Sequence, residues 1–520
     1  VPTLTSATAS NFAVLNPLMA AAPALVDGNL NTPSLSAQTV YGTISSKSGK
    51  WYWEGKCTAR ATGVTYVGVE NNTYFLSNQA WSTSVFAMQS NSQKYLAGTS
   101  TSYGSGFAAG DTIGVALDVT NDTLEFFVNN TSQGQITSVG MAQNNMRPMF
   151  QGNTATWEVN FGQRPFTYTP PTGYVALNTY NLPTSTITNG AGYMAATTYA
   201  GTGASLTVAN TVGSTSFQPD WVWAKSRSAA TDHALYDSVR GVQKQLESNN
   251  TDAETTETTG LTAFGSTGFT VGALAQMNTS AATYVAWQWK AGTTSASNTS
   301  GSITSTVSVG ATQGFSVVTY TATAATGTIG LGVAPSMIIT ARRSSASAYW
   351  GVYHKSLGAS QILYMQVTNA ATADSTTWNA TSPTSSVFSV GNSAQSNNPS
   401  SATYVAYCFA PIAGYSAFGS YTGNGSTDGV FVYCGFRPRW ILIKSSTTTD
   451  DWRIYDTSRP GYNVQGGTLL ADTAGAETTA TELDILSNGF KARVTTTPNA
   501  AQTYIYAAFA ESPFKNSLAR

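Results

Sequence analysis

From Phe217 onward one pattern is written three times. The first copy runs FQPDWVWAKS (Phe217–Ser226), HALYDSVRG (His233–Gly241), GFTVG (Gly268–Gly272) and ATYVAWQW (Ala282–Trp289). The second runs VAPSMIITAR (Val333–Arg342), YWGVYHKSLG (Tyr349–Gly358), VFSVG (Val387–Gly391) and ATYVAYCFAP (Ala402–Pro411). The third runs FRPRWILIKS (Phe436–Ser445), DWRIYDTSRPG (Asp451–Gly461), GFKAR (Gly489–Arg493) and QTYIYAAFAESPF (Gln502–Phe514). The spacings agree as well as the blocks. Pro219 to Tyr236, Pro335 to Tyr353 and Pro438 to Tyr455 span 17, 18 and 17 residues. A fixed period means that each copy is one structural unit, and this restricts the fold before any local propensity is considered.

Within a copy the apolar runs are short. Trp221–Trp223, Met337–Ile339 and Trp440–Ile443 are continuous, as expected for strands buried on both faces. A proline stands ahead of each run, where a strand needs no ladder donor. Ser, Thr, Asn and Gly fill the intervals as turns, and Ala291–Ser308 reads as a linker. Each copy therefore reads as a β-sandwich, folding as a separate unit beside its neighbours.

The first third of the chain is different. It holds KSGKWYWEGK (Lys47–Lys56), GVTYVGVEN (Gly63–Asn71), GDTIGVALDVTNDTLEFFVNN (Gly110–Asn130), MRPMF (Met146–Phe150) and WEVNFGQRPFTYTPPTGY (Trp157–Tyr174). Thr120–Thr123 reads as the turn of a hairpin between Val115–Val119 and Leu124–Val128. In order and content these blocks resemble a SPRY domain. The resemblance implies a concanavalin-like two-sheet sandwich that binds partners through loops at one edge. The three later copies, on PDWVWAKSR (Pro219–Arg227), TDAETT (Thr251–Thr256) and TYVAWQWKAG (Thr283–Gly292), resemble an uncharacterised repeat accompanying SPRY domains in tailed-bacteriophage structural proteins. NFAVLNPL (Asn11–Leu18) resembles the lead into such domains. The expected fold is all-β: an arm over 1–35, the sandwich over 36–178, and three related sandwich-like domains over 179–292, 293–412 and 413–520.

Composition narrows the function. Charged residues make up 9% of the 520, and 24 Lys+Arg stand against 25 Asp+Glu. That argues against nucleic-acid binding through phosphates and against a polybasic membrane anchor. No apolar run approaches the length of a membrane-spanning helix. No Lys or Arg precedes Lys47, so the positive start of an export signal is not expected. The expected place is a virion, assembled in a host cytoplasm and released by lysis. With two histidines and three cysteines, no cofactor and no zinc site are expected.

No G-x-S-x-G, HExxH, P-loop or dinucleotide-binding pattern occurs, and enzymatic activity is not expected. Asp232, His233 and Asp237 lack a recurring nucleophile and read as the polar face of a strand. A carboxylate recurs in matching contexts at Glu254, Asp374 and Glu477. It reads as a turn-fixing acceptor of backbone N–H groups, with calcium or sugar-hydroxyl coordination as the alternative. Trp51 and Trp53 read as sheet aromatics, and the matched Trp350 and Trp452 as structural. The candidate ligand contacts are Trp378, which has no counterpart in the other copies, and Tyr74 and Trp81 in a loop of the SPRY-like region. Aromatic rings among Asn and Thr suit neutral or mildly charged glycans. The resemblance implies a non-enzymatic tail fibre or receptor-binding appendage touching a host-surface glycan or receptor. The alternatives are a capsid or tail decoration protein and a glycan-cleaving tailspike. Expected partners are other virion proteins and further copies of the chain, by analogy as a trimer.

Overall fold

The computed structural model describes residues 10–18, 23–61, 63–71, 84–141, 145–292, 294–330, 334–460 and 463–513. Strands hold 47% of the chain and helix 1%, so the fold is all-β. Two compact units divide it: Val1–Thr184 with Asp428–Tyr433, and Ser185–Thr427 with Cys434–Arg520.

The first unit is a β-sandwich whose layers share one long strand, Met146–Asn160. Its first half pairs with Tyr66–Asn71 and with Leu35–Tyr41, and its second half pairs with Lys50–Ala59. The change of layer falls at Gly152–Ala155. There Thr154 adopts φ 56°, and a Cβ on Gly152 would sit 2.9 Å from those of Leu35 and Ala155. The layers meet closely, with the Phe150 ring over Gly55 and 5.4 Å from the Trp157 ring. Trp51, Tyr52 and Trp53 are all buried, because alternate residues of a central strand face opposite sides and here both sides are covered. The hairpin read at Thr120–Thr123 is present. Asp118 pairs with Thr123, and Asn121 N–H donates to Asp118 Oδ1 at 2.9 Å.

In the second unit each copy builds the same four-stranded arrangement. The order is Met194–Ala200, Thr283–Trp289, Trp221–Ser226, Ala234–Asp237 in the first copy. It is Phe315–Thr321, Thr403–Phe409, Met337–Arg342, Gly351–His354 in the second. It is Ser416–Thr422, Thr503–Pro513, Phe436–Ser445, Arg453–Asp456 in the third. Pro219 and Pro335 precede their strands, whereas Pro438 lies within one, at a register shift that spares the ladder its missing donor.

The central strands alternate between two cores. Trp221, Trp223, Trp287 and Trp289 of the first copy enter one cluster with Met337, Ile339, Tyr407 and Phe409 of the second and Trp440, Leu442 and Phe509 of the third. The intervening residues turn outward. Val222, Ala224, Tyr236 and Ala286 pack under a local layer in the first copy, and Ile338, Tyr353, Ala406 and Cys408 do so in the second. Both faces are thus buried, as the continuous apolar runs predict, but one of those faces belongs to all three copies. The expectation of three separately folding units is corrected: alone, each sheet would expose its aromatic face to water. Ala291–Ser308 is not a plain linker either. Ser295–Asn298 and Ser305–Gly310 pair as a hairpin that widens the second copy's sheet, and Ala291 joins the shared core. Thr and Ser serve such an edge well, since they accept strand conformation and water together.

Trp289 touches Trp221 of its own copy, Phe409 of the second, and Trp440 and Phe509 of the third. Trp289→Ala is therefore expected to lower stability by about 3–5 kcal/mol. Hydrogen exchange read by mass spectrometry should show protection falling together in all three copies. Loss confined to the first copy would contradict a shared core.

Candidate functional site

In the first unit a buried ion pair lies beside Asn71. Glu70 lies near the end of its strand and Arg147 opposite it in register. Arg147 Nε donates to Glu70 Oε2 at 3.0 Å, with both side chains almost wholly buried. The guanidinium lies 3.7 Å from the centre of the Tyr41 ring. Burial raises the Glu70 pKa and Arg147 opposes the rise, so the pair is held by direct contact in a dry setting. Asn71 N–H donates to Ser84 O at 2.8 Å. Tyr74 and Trp81, the two ligand contacts expected here, lie outside the described residues.

In the second unit polar chemistry concentrates at three equivalent seams. At the first, Glu254 N–H donates to Arg343 O at 2.9 Å, and the Arg343 Nε and Nη2 groups return to the Glu254 carboxylate at 2.8 and 3.0 Å. Behind it Arg240, with no side-chain exposure, bridges Glu254 and Asp237, and Tyr407 of the second copy donates its hydroxyl to Asp237 Oδ2 at 2.9 Å. The seam from third copy to first repeats the plan. Glu477 N–H donates to Arg227 O, Arg227 binds the Glu477 carboxylate, Arg459 bridges Glu477 and Asp456, and Trp287 Nε1–H donates to Asp456 Oδ2 at 2.9 Å. Burial acts to raise the pKa of Glu254 and of Asp456, but the neighbouring arginines outweigh it and hold both below the usual range.

The seam from second copy to third keeps the frame and drops the charges. Ala371 N–H donates to Ser446 O at 3.0 Å, but Ser446 stands where the others have arginine, and His354 and Leu357 stand where they have Asp and Arg. His354 Nε2 lies 3.3 Å from Tyr506 O. Burial pulls the His354 pKa down to about 4 and that of His233, which meets Leu470 O at 3.0 Å, down to about 3.

These seams place most of the residues read from sequence. Glu254 and Glu477 bind arginines of their own and of a neighbouring copy. The matching of Asp374 with them is corrected: Ala371 holds that position in the second copy, and Asp374, three residues on, accepts the backbone N–H groups of Thr376 and Thr377 and the Thr377 hydroxyl, as a turn-fixing carboxylate does. His233 and Asp237 are fully buried, and Asp232 accepts from Asn249. Trp350 and Trp452 are buried in the shared core. Trp378 is corrected: it is 1% exposed, packed edge-on 5.8 Å from Tyr353 beneath the second copy's outer layer, and offers no surface to a ligand. The sequence reading missed Arg227, Arg240, Arg343 and Arg459. The available signal was the joint loss of Asp and Arg in the second copy.

Comparison with known proteins fits this division. A family model described as a domain of unknown function, DUF7483, matches residues 189–513, which is more than half of the chain. The chain belongs to that family. Residues 50–164 match the SPRY domain model. Among solved structures, the SPRY domain of human HERC1 matches at 19% identity over 27% of this chain and 94% of that one, with a TM-score of 0.24. The TRIM65 PSpry domain matches at 17% identity over 29% and 93%, TM-score 0.23, and stonustoxin at 18% over 29% and 27%, TM-score 0.24. No curated protein matches.

Two measurements check the seams. Asp237→Ala takes from Arg240 one of its two carboxylates and from Tyr407 its acceptor in a dry seam and should cost about 3–5 kcal/mol, whereas Asp374→Ala removes partly solvated bonds and should cost about 1 kcal/mol. Urea titrations giving equal losses would contradict the assignment. The second is a pH dependence. His354 stays neutral in the fold to about pH 4, while the unfolded chain protonates it near 6.5. Its contribution is complete above about pH 6.5 and is lost as pH falls, by about 2 kcal/mol between pH 7 and 5. Asp472, raised to about 7 by burial, acts oppositely in the same window but is common to wild type and variant. In His354→Gln the stability deficit relative to wild type should therefore shrink by that amount from pH 7 to 5. A deficit independent of pH would exclude His354 as the titrating group.

Proposed function

We propose that the chain is a non-enzymatic structural protein of a tailed-bacteriophage virion, a tail fibre or receptor-binding appendage that contacts the host surface through a glycan. The observation that carries this reading is the pairing of a SPRY sandwich with a DUF7483 region whose polar groups are spent on joining three copies. SPRY domains are binding modules, and the SPRY match over residues 50–164 supports a contact role for the first unit. Weak sites repeated over many virions or many copies would gain strength by avidity.

The test uses antibodies raised against the full chain. Labelling of virions at the tail tip or fibres in electron micrographs, with blocked adsorption to host cells, is the expected outcome. Labelling spread over the head with adsorption untouched would replace the appendage role by decoration. Release of reducing sugar from host polysaccharide by the purified chain would replace it by glycan cleavage.

A further inference from the structure

One corner of the second unit departs from the threefold plan. The strand Thr283–Trp289 is followed by Lys290, whose N–H donates to Tyr193 O at 2.8 Å. At the third copy's corner Ala510 N–H makes the same bond to Tyr415 O at 2.7 Å, and the second copy has Ala410 at this place. The fold thus accepts alanine twice where the first copy carries a lysine. The ring beside it departs as well. The second copy has Gly314 at this place and the third has Tyr415, 1% exposed in the shared core, whereas Tyr193 is only partly buried and packs edge-on against Tyr415 at 6.2 Å.

Tyr193 and Lys290 line a cleft of about 320 Å³ with Thr186, Thr188, Asn189 and Ser216. The volume is that of a small-molecule site. Its walls are held in place. Asn189 Oδ1 accepts from Ala191 N–H at 3.1 Å, its amide donates to Thr215 Oγ1 at 2.9 Å, and Gly190 lies so near the third copy that a Cβ there would meet Ala510 O at 2.2 Å. The Lys290 ammonium lies 5.8 Å from the Tyr193 ring centre and forms no ion pair among the described residues. The carboxylate that feels its charge, Asp220, is occupied by the Ser238 hydroxyl and Ala291 N–H, both at 2.7 Å.

The geometry points to a binding site for a uronic acid residue of an acidic glycan. Lys290 takes the carboxylate, the hydroxyls of Thr186, Thr188 and Ser216 and the Asn189 amide take ring hydroxyls, and the Tyr193 face covers the apolar side of the sugar. The site rests on the glycan-binding reading above for its ligand class, but its location comes from the break in symmetry.

The test is saturation-transfer NMR on the full chain with three probes: methyl glucuronide, methyl glucoside and acetate. Wild type should bind the glucuronide saturably, at least tenfold more tightly than either other probe. Lys290→Gln should weaken the glucuronide about tenfold and bring it level with the glucoside, and Tyr193→Ala should weaken both sugars. The thermal midpoint of Lys290→Gln should stay at the wild-type value, because the fold takes alanine at the two equivalent corners. Absence of saturable glucuronide binding to wild type, or binding unchanged in Lys290→Gln, overturns the site. Acetate binding as tight as the glucuronide overturns the sugar and leaves an anion. Virion labelling is independent of these titrations, so an appendage role that failed would leave them standing, and the reverse.

Discussion

Burial of the inward face of three equivalent sheets against one another is the interaction on which the second unit depends. Trp221, Trp287, Phe409, Trp440 and Phe509 lie on strands far apart in sequence, yet their rings pack within one cluster. Rings this large remove much apolar surface from water, and none of the three sheets can do so alone. The outer layers are secondary to this. They cover the other strand face, and they differ between copies, three short strands in the first and two in the second. The conserved element is the face that must match its neighbours.

Aromatic packing is weakly directional, so something else has to fix which neighbour sits where. The seams do this. A backbone bond recurs at each one, and on two of them a buried Asp–Arg–Glu chain ends on an arginine of the adjacent copy. Such chains tolerate little misplacement, because an arginine displaced from its carboxylates in a dry seam is costly. The third seam uses His354 and uncharged neighbours, so the three interfaces are alike in shape and unlike in chemistry. That difference allows each copy to recognise its own place.

Much of this was legible in the sequence, and the remainder was hidden for identifiable reasons. The central strands were readable because two-sided burial leaves an uninterrupted apolar run, as in Trp440–Ile443. The hairpin at Thr120–Thr123 was readable because its turn chemistry is local. The common core was not, because Trp221 and Trp223 alternating with Val222 and Ala224 look the same whether the inward face meets the copy's own second sheet or another copy. Trp378 misled through its polar neighbours: Thr376, Thr377 and Asn379 suggest a solvated loop, but Asp374 curls that segment so that the indole points beneath it. Glu254 and Glu477 were visible as a matched pair, but Asp374 was aligned with them where Ala371 stands, and the arginine partners lie some 90 and 250 residues away, where no spacing rule pairs them. Lys290 could have been noticed, since the aligned positions are Ala410 and Ala510, but a single departure gains meaning only when a cleft is found beside it.

The closure of the seams, first copy to second, second to third and third back to first, also sets a limit on how such a gene can change. An open stack of repeats grows or shrinks by duplication and deletion, because each new member finds a free end to join. Here the end of the third copy is already engaged by the beginning of the first, as the bonds from Glu477 to Arg227 show. A fourth copy would find no free seam, and a lost one would leave two seams and an aromatic face without partners. Copy number in this architecture is therefore held at three by geometry, and variation is channelled into what each copy carries at its corners.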